Sequence, residues 1–241
     1  MGKIFALIPA RAGSKGLKDK NIKLLAGHPL LAFSVAAARR CKNIDRVIIS
    51  TNSRQYADIA VKYGAEAPFL RPEEISQDRS TDYDFVKHAL DWLSENEGQM
   101  PQLLVHLRPT TPLRQVKYVQ DAVEIMKKNT GANALRSVHK MSESAYKMFE
   151  MENEFLKMVG TGSFELDRAN DPRQGFNDTY FPNGYVDVLK TSFILENKKI
   201  HGNRVLGYAT PFAAEVDDAE DFEYLEYMAA KNPEIINELF R

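Results

Sequence analysis

The chain has 241 residues, 44% of them hydrophobic and 27% charged, with a formal net charge of -1. That length can bury one large core, as a single domain or a domain with a small appendage, and the balanced charge gives no reason to expect a nucleic-acid or membrane surface as partner. The lone Cys41 excludes an internal disulfide framework and reads as buried filler in a reducing cytosol; no signal-peptide core follows Met1-Gly2-Lys3, and no apolar run nears the roughly 18 residues that span a bilayer, so the expectation is a soluble cytoplasmic protein.

Short apolar runs alternate with amphipathic segments, the rhythm of an α/β fold with a Rossmann-like open, mainly parallel sheet and helices on both faces. Strands are expected over 3–8, 46–50, 67–70, 103–107 and 134–138, and helices over 29–40, 54–63, 82–94 and 116–128. The helix at 82–94 is the clearest, because Phe85, Val86, Ala89, Leu90, Trp92 and Leu93 form one apolar stripe, with Trp92 expected in the core.

The first strand leads into Pro9-Ala10-Arg11-Ala12-Gly13-Ser14-Lys15-Gly16-Leu17-Lys18-Asp19-Lys20-Asn21, with four cations within ten positions and two glycines that let the backbone turn and approach a ligand. Ligands of open α/β sheets sit at such strand ends, so the loop reads as a nucleotide phosphate site. It has neither the G-x-x-x-x-G-K-[ST] spacing nor G-x-G-x-x-G. A solvated basic loop is the plainer reading, and Lys18 fits it.

From 142 to 181 the rhythm fails. Alternating Tyr146 to Glu152, a turn at Asn153-Glu154, glycines at Gly160 and Gly162 and a polar stretch from Asp167 to Asp178 make an excursion too long to be idle in a compact domain. Helical spacing resumes at Asp218 with Phe222, Leu225 and Met228/Ala229.

The run I-P-A-R-A-G-S-K-G-x-x-x-K-N resembles the N-terminal signature of the acylneuraminate cytidylyltransferases, which make CMP-activated nonulosonic acids of the sialic, legionaminic and pseudaminic type. Ile49-Ser50-Thr51-Asn52, Leu70-Arg71-Pro72-Glu73-Glu74, Pro109-Thr110-Thr111-Pro112-Leu113-Arg114, Pro182-Asn183-Gly184 and Glu215-Val216-Asp217 continue it in family order over nearly the whole chain. The resemblance implies the nucleotide-diphospho-sugar transferase fold, with a core of 1–141 and 182–241 and an inserted dimerisation arm at 142–181 that reaches into the partner's site. It implies CMP transfer from CTP to the anomeric hydroxyl of a nonulosonic acid with loss of pyrophosphate, Mg²⁺ (or Mn²⁺) as cofactor, and a homodimer. A same-fold enzyme using another nucleotide such as GTP, or a different sugar, is the nearest alternative; a nucleotide-binding protein without turnover is the alternative of another class.

Phosphoryl transfer needs cations that neutralise the phosphate oxygens. The motif assigns Arg11, Lys15 and Lys20 to the triphosphate as catalytic cations, with Ala10, Ala12, Gly13 and Asn21 completing the nucleotide loop. Arg71 resembles the arginine beside the pyrimidine and otherwise reads as a rim arginine; Asp82 stands nearby where a small hydroxyl residue is usual. Glu215 and Asp217 fall on one side of an extended segment and form a hard oxygen pair suited to Mg²⁺, although Asp217, Asp218 and Asp221 also precede a helix they could cap. Glu215 replaces the family's usual Asp by one methylene. For the acid sugar, Arg108 (where sialic-acid members carry Gln), Thr110, Thr111, Lys147, Arg173, Asn183 and Asp187 are the candidates, with Lys147 and Arg173 meeting the sugar carboxylate from the neighbouring subunit and Asp187 able to join the metal shell. Turn chemistry accounts equally for Thr110, Thr111 and Asn183. No general base stands out, and His28, His88, His106, His139 and His201 show no metal-ligand spacing.

Overall fold

A computed structural model describes residues 2–241, which divide into two compact units: the chain up to Ser137 together with Asn183–Arg241, and Val138–Pro182. The second begins four residues before and ends one residue after the insertion expected at 142–181.

In chain order, β1 (Ile4–Pro9) is followed by a two-residue pair, β2 (Leu24–Leu25) and β3 (His28–Pro29), then α1 (Leu30–Arg40), β4 (Arg46–Ser50) and α2 (Arg54–Lys62). Next come α3 (Asp82–Glu97), β5 (Leu103–His106), α4 (Val116–Lys128) and β6 (Ala134–Lys140). The hairpin β7 (Phe149–Glu152) and β8 (Phe155–Met158) belongs to the smaller unit. The chain closes with β9 (Tyr180–Lys190), α5 (Thr191–Asn197), β10 (Val205–Ala209), α6 (Ala219–Lys231) and α7 (Pro233–Phe240).

Six strands form one sheet in the order β10-β6-β9-β5-β1-β4, in which β4 and β5 run parallel to β1 and β9 runs antiparallel to β5. Side chains of a strand alternate between faces. Ile4, Ala6 and Ile8 of β1 therefore pack into one core with α1, α2, α4, α6 and α7, while Phe5 and Leu7 pack into a second with α3 and α5. Helices cover both faces, as the alternating pattern predicts.

The helix expected over 82–94 extends to Glu97 and ends at Gly98 in the left-handed conformation (φ 61°), which glycine adopts without a Cβ penalty. Trp92 is half-buried at the margin of the second core rather than inside it. The strand expected at 67–70 is not one: a single bridge, Ile48 to Glu66, replaces a ladder. Pro68 within the segment and Pro72 just after it lack the N–H that a ladder needs. β9 and β10 were not anticipated from the pattern. Cys41 is buried, and no helix among the described residues is long and apolar enough to cross a membrane.

Candidate active site

Beyond the C-terminal ends of β1 and β5 lies a cavity of about 460 Å³, lined by Arg11, Ser14, Lys15, Gly16, Lys20, Asn21, Arg71, Asp82, Arg108, Thr110 and Asp217, with Gln77, Asp78, Ser80 and Phe85 on the remaining wall. Five cationic and three carboxylate side chains thus line one pocket. Its net positive wall suits a ligand carrying several negative charges.

Two contacts hold the basic loop against residues some 200 positions downstream. Lys20 is buried, and its Nζ donates to the Val216 carbonyl at 2.6 Å and to Asp217 Oδ1 at 3.0 Å. Gly16 lies so close that a Cβ there would stand 2.4 Å from the Asp217 carbonyl oxygen, so glycine is needed for this approach. The acidic segment is in turn tied to the Pro-Thr corner, since Val216 N–H donates to Thr110 O at 2.9 Å and Thr110 Oγ1 donates to Glu215 Oε1 at 3.0 Å. Basic loop, corner and acidic pair form one constellation.

The other loop residues divide by what already holds them. Arg11 Nη2 donates to Asp78 Oδ1 at 2.8 Å, and Lys15 pairs with the other oxygen of the same carboxylate. Ala10 and Ala12 spend their N–H groups on Ser50 O at 2.9 Å and Asn52 Oδ1 at 2.8 Å, and do not line the cavity. The Asn21 amide donates to the Arg11 carbonyl at 3.0 Å and so fixes the loop. Gly13 turns the chain at φ 81°. Lys18 is exposed and outside the cavity lining.

Arg71 is buried, not a rim residue. Its Nε and Nη2 donate to Ser50 Oγ at 3.0 Å and Ser50 O at 2.6 Å, with the guanidinium 4.8 Å from the Phe85 ring centroid. Burial, with Arg11 nearby, pushes this guanidinium down to about 10.

Arg108 bridges two carboxylates, Asp187 (Nη1 to Oδ2, 3.0 Å) and Asp82. Asp187 lies opposite His106 across the β5–β9 ladder and is 1% exposed. Burial alone would raise its carboxyl; His201, Arg108, His106 and Arg136 together outweigh that and hold it far below the usual carboxylate range. The same burial, reinforced by Arg108, keeps His106 neutral well below its ordinary range. Asp187 therefore stands behind the wall as the buried partner of Arg108. It does not line this cavity and faces four cationic or imidazole groups, which makes it a buried support for Arg108.

Thr111 and Asn183 are likewise inside. Thr111 Oγ1 has no hydrogen-bond partner among the described residues, and Asn183 Nδ2 donates to Thr210 Oγ1 at 2.7 Å, with Gly184 beside it at φ 62° completing a bent strand start. In the smaller unit, Lys147 Nζ donates to Asp171 O at 3.0 Å and Arg173 Nη2 to Met141 O at 3.1 Å; Lys147 is half-buried and Arg173 exposed. Asp218 caps α6 by accepting from Asp221 N–H at 3.0 Å, which leaves Asp217 free of that duty.

Two residues that sequence reasoning missed matter most. Asp78 holds two of the loop's cations. Arg114, fully buried, donates to Tyr185 O, Ser34 Oγ, Arg108 O and Gly184 O, locking the corner to β9. Its place in the P-T-T-P-L-R run was the available signal.

Of the pair expected to hold a divalent cation, Asp217 lines the cavity and Glu215, two residues away, does not; the cavity's other carboxylates, Asp78 and Asp82, are paired with Arg11, Lys15 and Arg108. Among the described residues no group of three His, Cys, Asp or Glu side chains gathers as a self-sufficient site. This fits Mg²⁺, which typically takes one or two protein carboxylates and completes its shell with water and substrate phosphates.

A family model described as cytidylyltransferase matches residues 5–158. N-acylneuraminate cytidylyltransferase of Escherichia coli is 32% identical over 223 residues, 92% of this chain and 51% of that protein. CMP-N,N'-diacetyllegionaminic acid synthase of Legionella pneumophila is 33% identical over 202 residues, 83% of each chain. The chain thus spans about half the length of the E. coli relative but most of the Legionella one. Among solved structures, CMP:2-keto-3-deoxy-manno-octonic acid synthetase complexed with CTP superposes with a TM-score of 0.70 over 95% of this chain and 99% of its own at 14% identity, which speaks for the fold. By the family match and these relatives, the chain belongs to the cytidylyltransferase family.

Proposed function

We propose that the chain transfers CMP from CTP to the anomeric hydroxyl of a nonulosonic acid. The hydroxyl oxygen bonds to the α-phosphorus, the bond from that phosphorus to the bridging oxygen of pyrophosphate breaks, and the hydroxyl proton passes to solvent. The observation that carries this reading is the convergence of Arg11, Lys15, Lys20 and Asp217 on one cavity at the strand ends. Family membership and the relatives' names support it.

In this reading Arg11 and Lys15 neutralise the phosphate oxygens. Lys20, already fixed between Val216 and Asp217, positions the acidic segment beside the leaving pyrophosphate. Asp217, with help from Glu215, would hold Mg²⁺ or Mn²⁺, whose charge offsets that of the phosphates. Arg71 and Phe85 form the wall toward the base, and Arg108 and Thr110 the wall toward the sugar acid.

The smaller unit exposes Met151, Phe155, Val159 and Phe164, and this apolar surface supports a homodimer in which Lys147 and Arg173 serve the neighbouring subunit's sugar carboxylate. Light scattering reads the assembly directly; a monomer at micromolar concentration would remove this part.

Pyrophosphate release is to be measured with each of the four NTPs against N-acetylneuraminic, legionaminic and pseudaminic acid. Turnover is expected with CTP and one or more of these acids. Turnover with GTP alone, or with none, would overturn the reading.

A further inference from the structure

Asp78 sits at the second position of a four-residue turn, Gln77 to Ser80, closed by Ser80 N–H donating to Gln77 O at 3.1 Å, with Ser80 Oγ accepting from Gln77 N–H at 2.9 Å. The turn is anchored by Gln77 Nε2, which donates to Glu73 O at 2.9 Å, while the next residue, Thr81, caps α3. Its backbone is therefore set by its neighbours, and the Asp78 side chain is free to change rotamer without disturbing it.

That side chain does one thing: Oδ1 takes Arg11 and Oδ2 takes Lys15. Their side chains are 32% and 81% exposed, whereas Lys20 of the same loop is buried. A carboxylate bridging two cations through its two oxygens presents what a phosphate presents through two of its own. The pairing cations also hold the Asp78 carboxyl below its ordinary range, so it is ionised wherever a triphosphate would be.

We propose that Asp78 competes with nucleotide phosphates for Arg11 and Lys15, so that binding swings Asp78 off these cations and the residue at position 78 sets nucleotide affinity. This rests on the nucleotide reading of the cavity above. It accounts for an acid in the wall of a phosphate pocket: the loop's cations keep a partner and a defined place, and a ligand must offer more than one negative charge to displace it.

The test is calorimetric titration of the full-length protein and its Asp78→Asn variant with CTP and, separately, with inorganic pyrophosphate. An exposed ion pair is worth little, so loss of two predicts that both ligands bind about three- to tenfold more tightly to Asp78→Asn. In a Lys15→Ala background the gain should shrink to about threefold or less, because one of the two competed cations is gone; a residue that acted only on the turn would give the same gain in both backgrounds. A thermal melt matching the parent protein shows that the variant is folded, and Asp78→Ser serves if it is not. Unchanged or weaker binding to Asp78→Asn overturns the proposal. If CTP fails to bind the parent protein while pyrophosphate binds and shows the gain, the nucleotide reading falls and the competition stands; binding of neither ligand overturns both.

Discussion

Asp187→Asn removes one negative charge from the buried group that faces Arg108, Arg136, His106 and His201, while nearly preserving shape. Breaking a buried ion pair by removing one partner costs about 3–5 kcal/mol, since the other charge is left uncompensated. Arg108 keeps Asp82, which argues for the lower end, about 3 kcal/mol. Unfolding entropy scales with length, and for a chain of this size the loss corresponds to a melting point lower by about 6 °C. The pH dependence has a definite sign. A carboxyl held below its ordinary range in the fold contributes stability that is complete above about pH 4 and is lost as pH falls toward its folded value. Urea unfolding at several pH values should therefore show a constant gap between parent and variant from pH 8 to 5 that narrows below about pH 4. A gap under about 1 kcal/mol at pH 7, or one that persists undiminished to pH 3, would refute the buried-partner account.

The remaining predictions concern the cavity. Gly16→Ala must displace the Asp217 carbonyl by about an ångström, so kcat/KM should fall about a hundredfold with the melting point nearly unchanged; full activity would show that the loop does not need this approach. Lys20→Met leaves the buried Val216 carbonyl without its donor at a cost of about 2 kcal/mol and should lower kcat at least a hundredfold, read by urea unfolding and pyrophosphate release; a loss of activity with no loss of stability would separate the two roles. Chelation with EDTA should abolish turnover and added Mg²⁺ should restore it, while Asp217→Asn should raise the Mg²⁺ needed for half-maximal rate. Turnover that persists in EDTA removes the metal from the scheme.

How much was legible follows from how local each signal is. The phosphate loop and α3 declare themselves through runs of neighbouring residues, and Asp218 and Asp221 show their capping role by spacing alone. β9 did not, because a buried carboxylate, Asp187, interrupts Tyr185-Val186 and Val188-Leu189, and because Pro182-Asn183-Gly184 reads as a turn when it is the bent start of a strand. The segment 67–70 has strand composition, yet its prolines forbid the ladder, and Phe69 owes its burial to packing against α3. Asp78 was invisible for another reason: a single acid in a polar stretch carries no pattern, and its meaning lies in Arg11 and Lys15, more than sixty positions away.

Four of the five cations of the cavity share a property that no stretch of sequence displays. Lys20 is held by Asp217, Arg11 and Lys15 by Asp78, and Arg108 by Asp82 and Asp187. These four are paired with carboxylates of the chain itself, whereas Arg71, the fifth cation of the cavity, is buried and donates to Ser50 Oγ and Ser50 O. Ligand binding at such a site exchanges anions rather than filling a bare positive hole. The holders differ in how firmly they are fixed: Asp187 is buried among four partners, whereas the Asp78 and Asp217 side chains are 40% and 79% exposed. Exchange should then occur at Arg11, Lys15 and the Asp217 edge, where phosphates would enter, while Arg108 stays clamped and presents a rigid edge to whatever lies beside it. In the proposed reaction that division would put adaptable charge where a triphosphate enters and leaves, and fixed geometry where an acceptor is told from its near relatives.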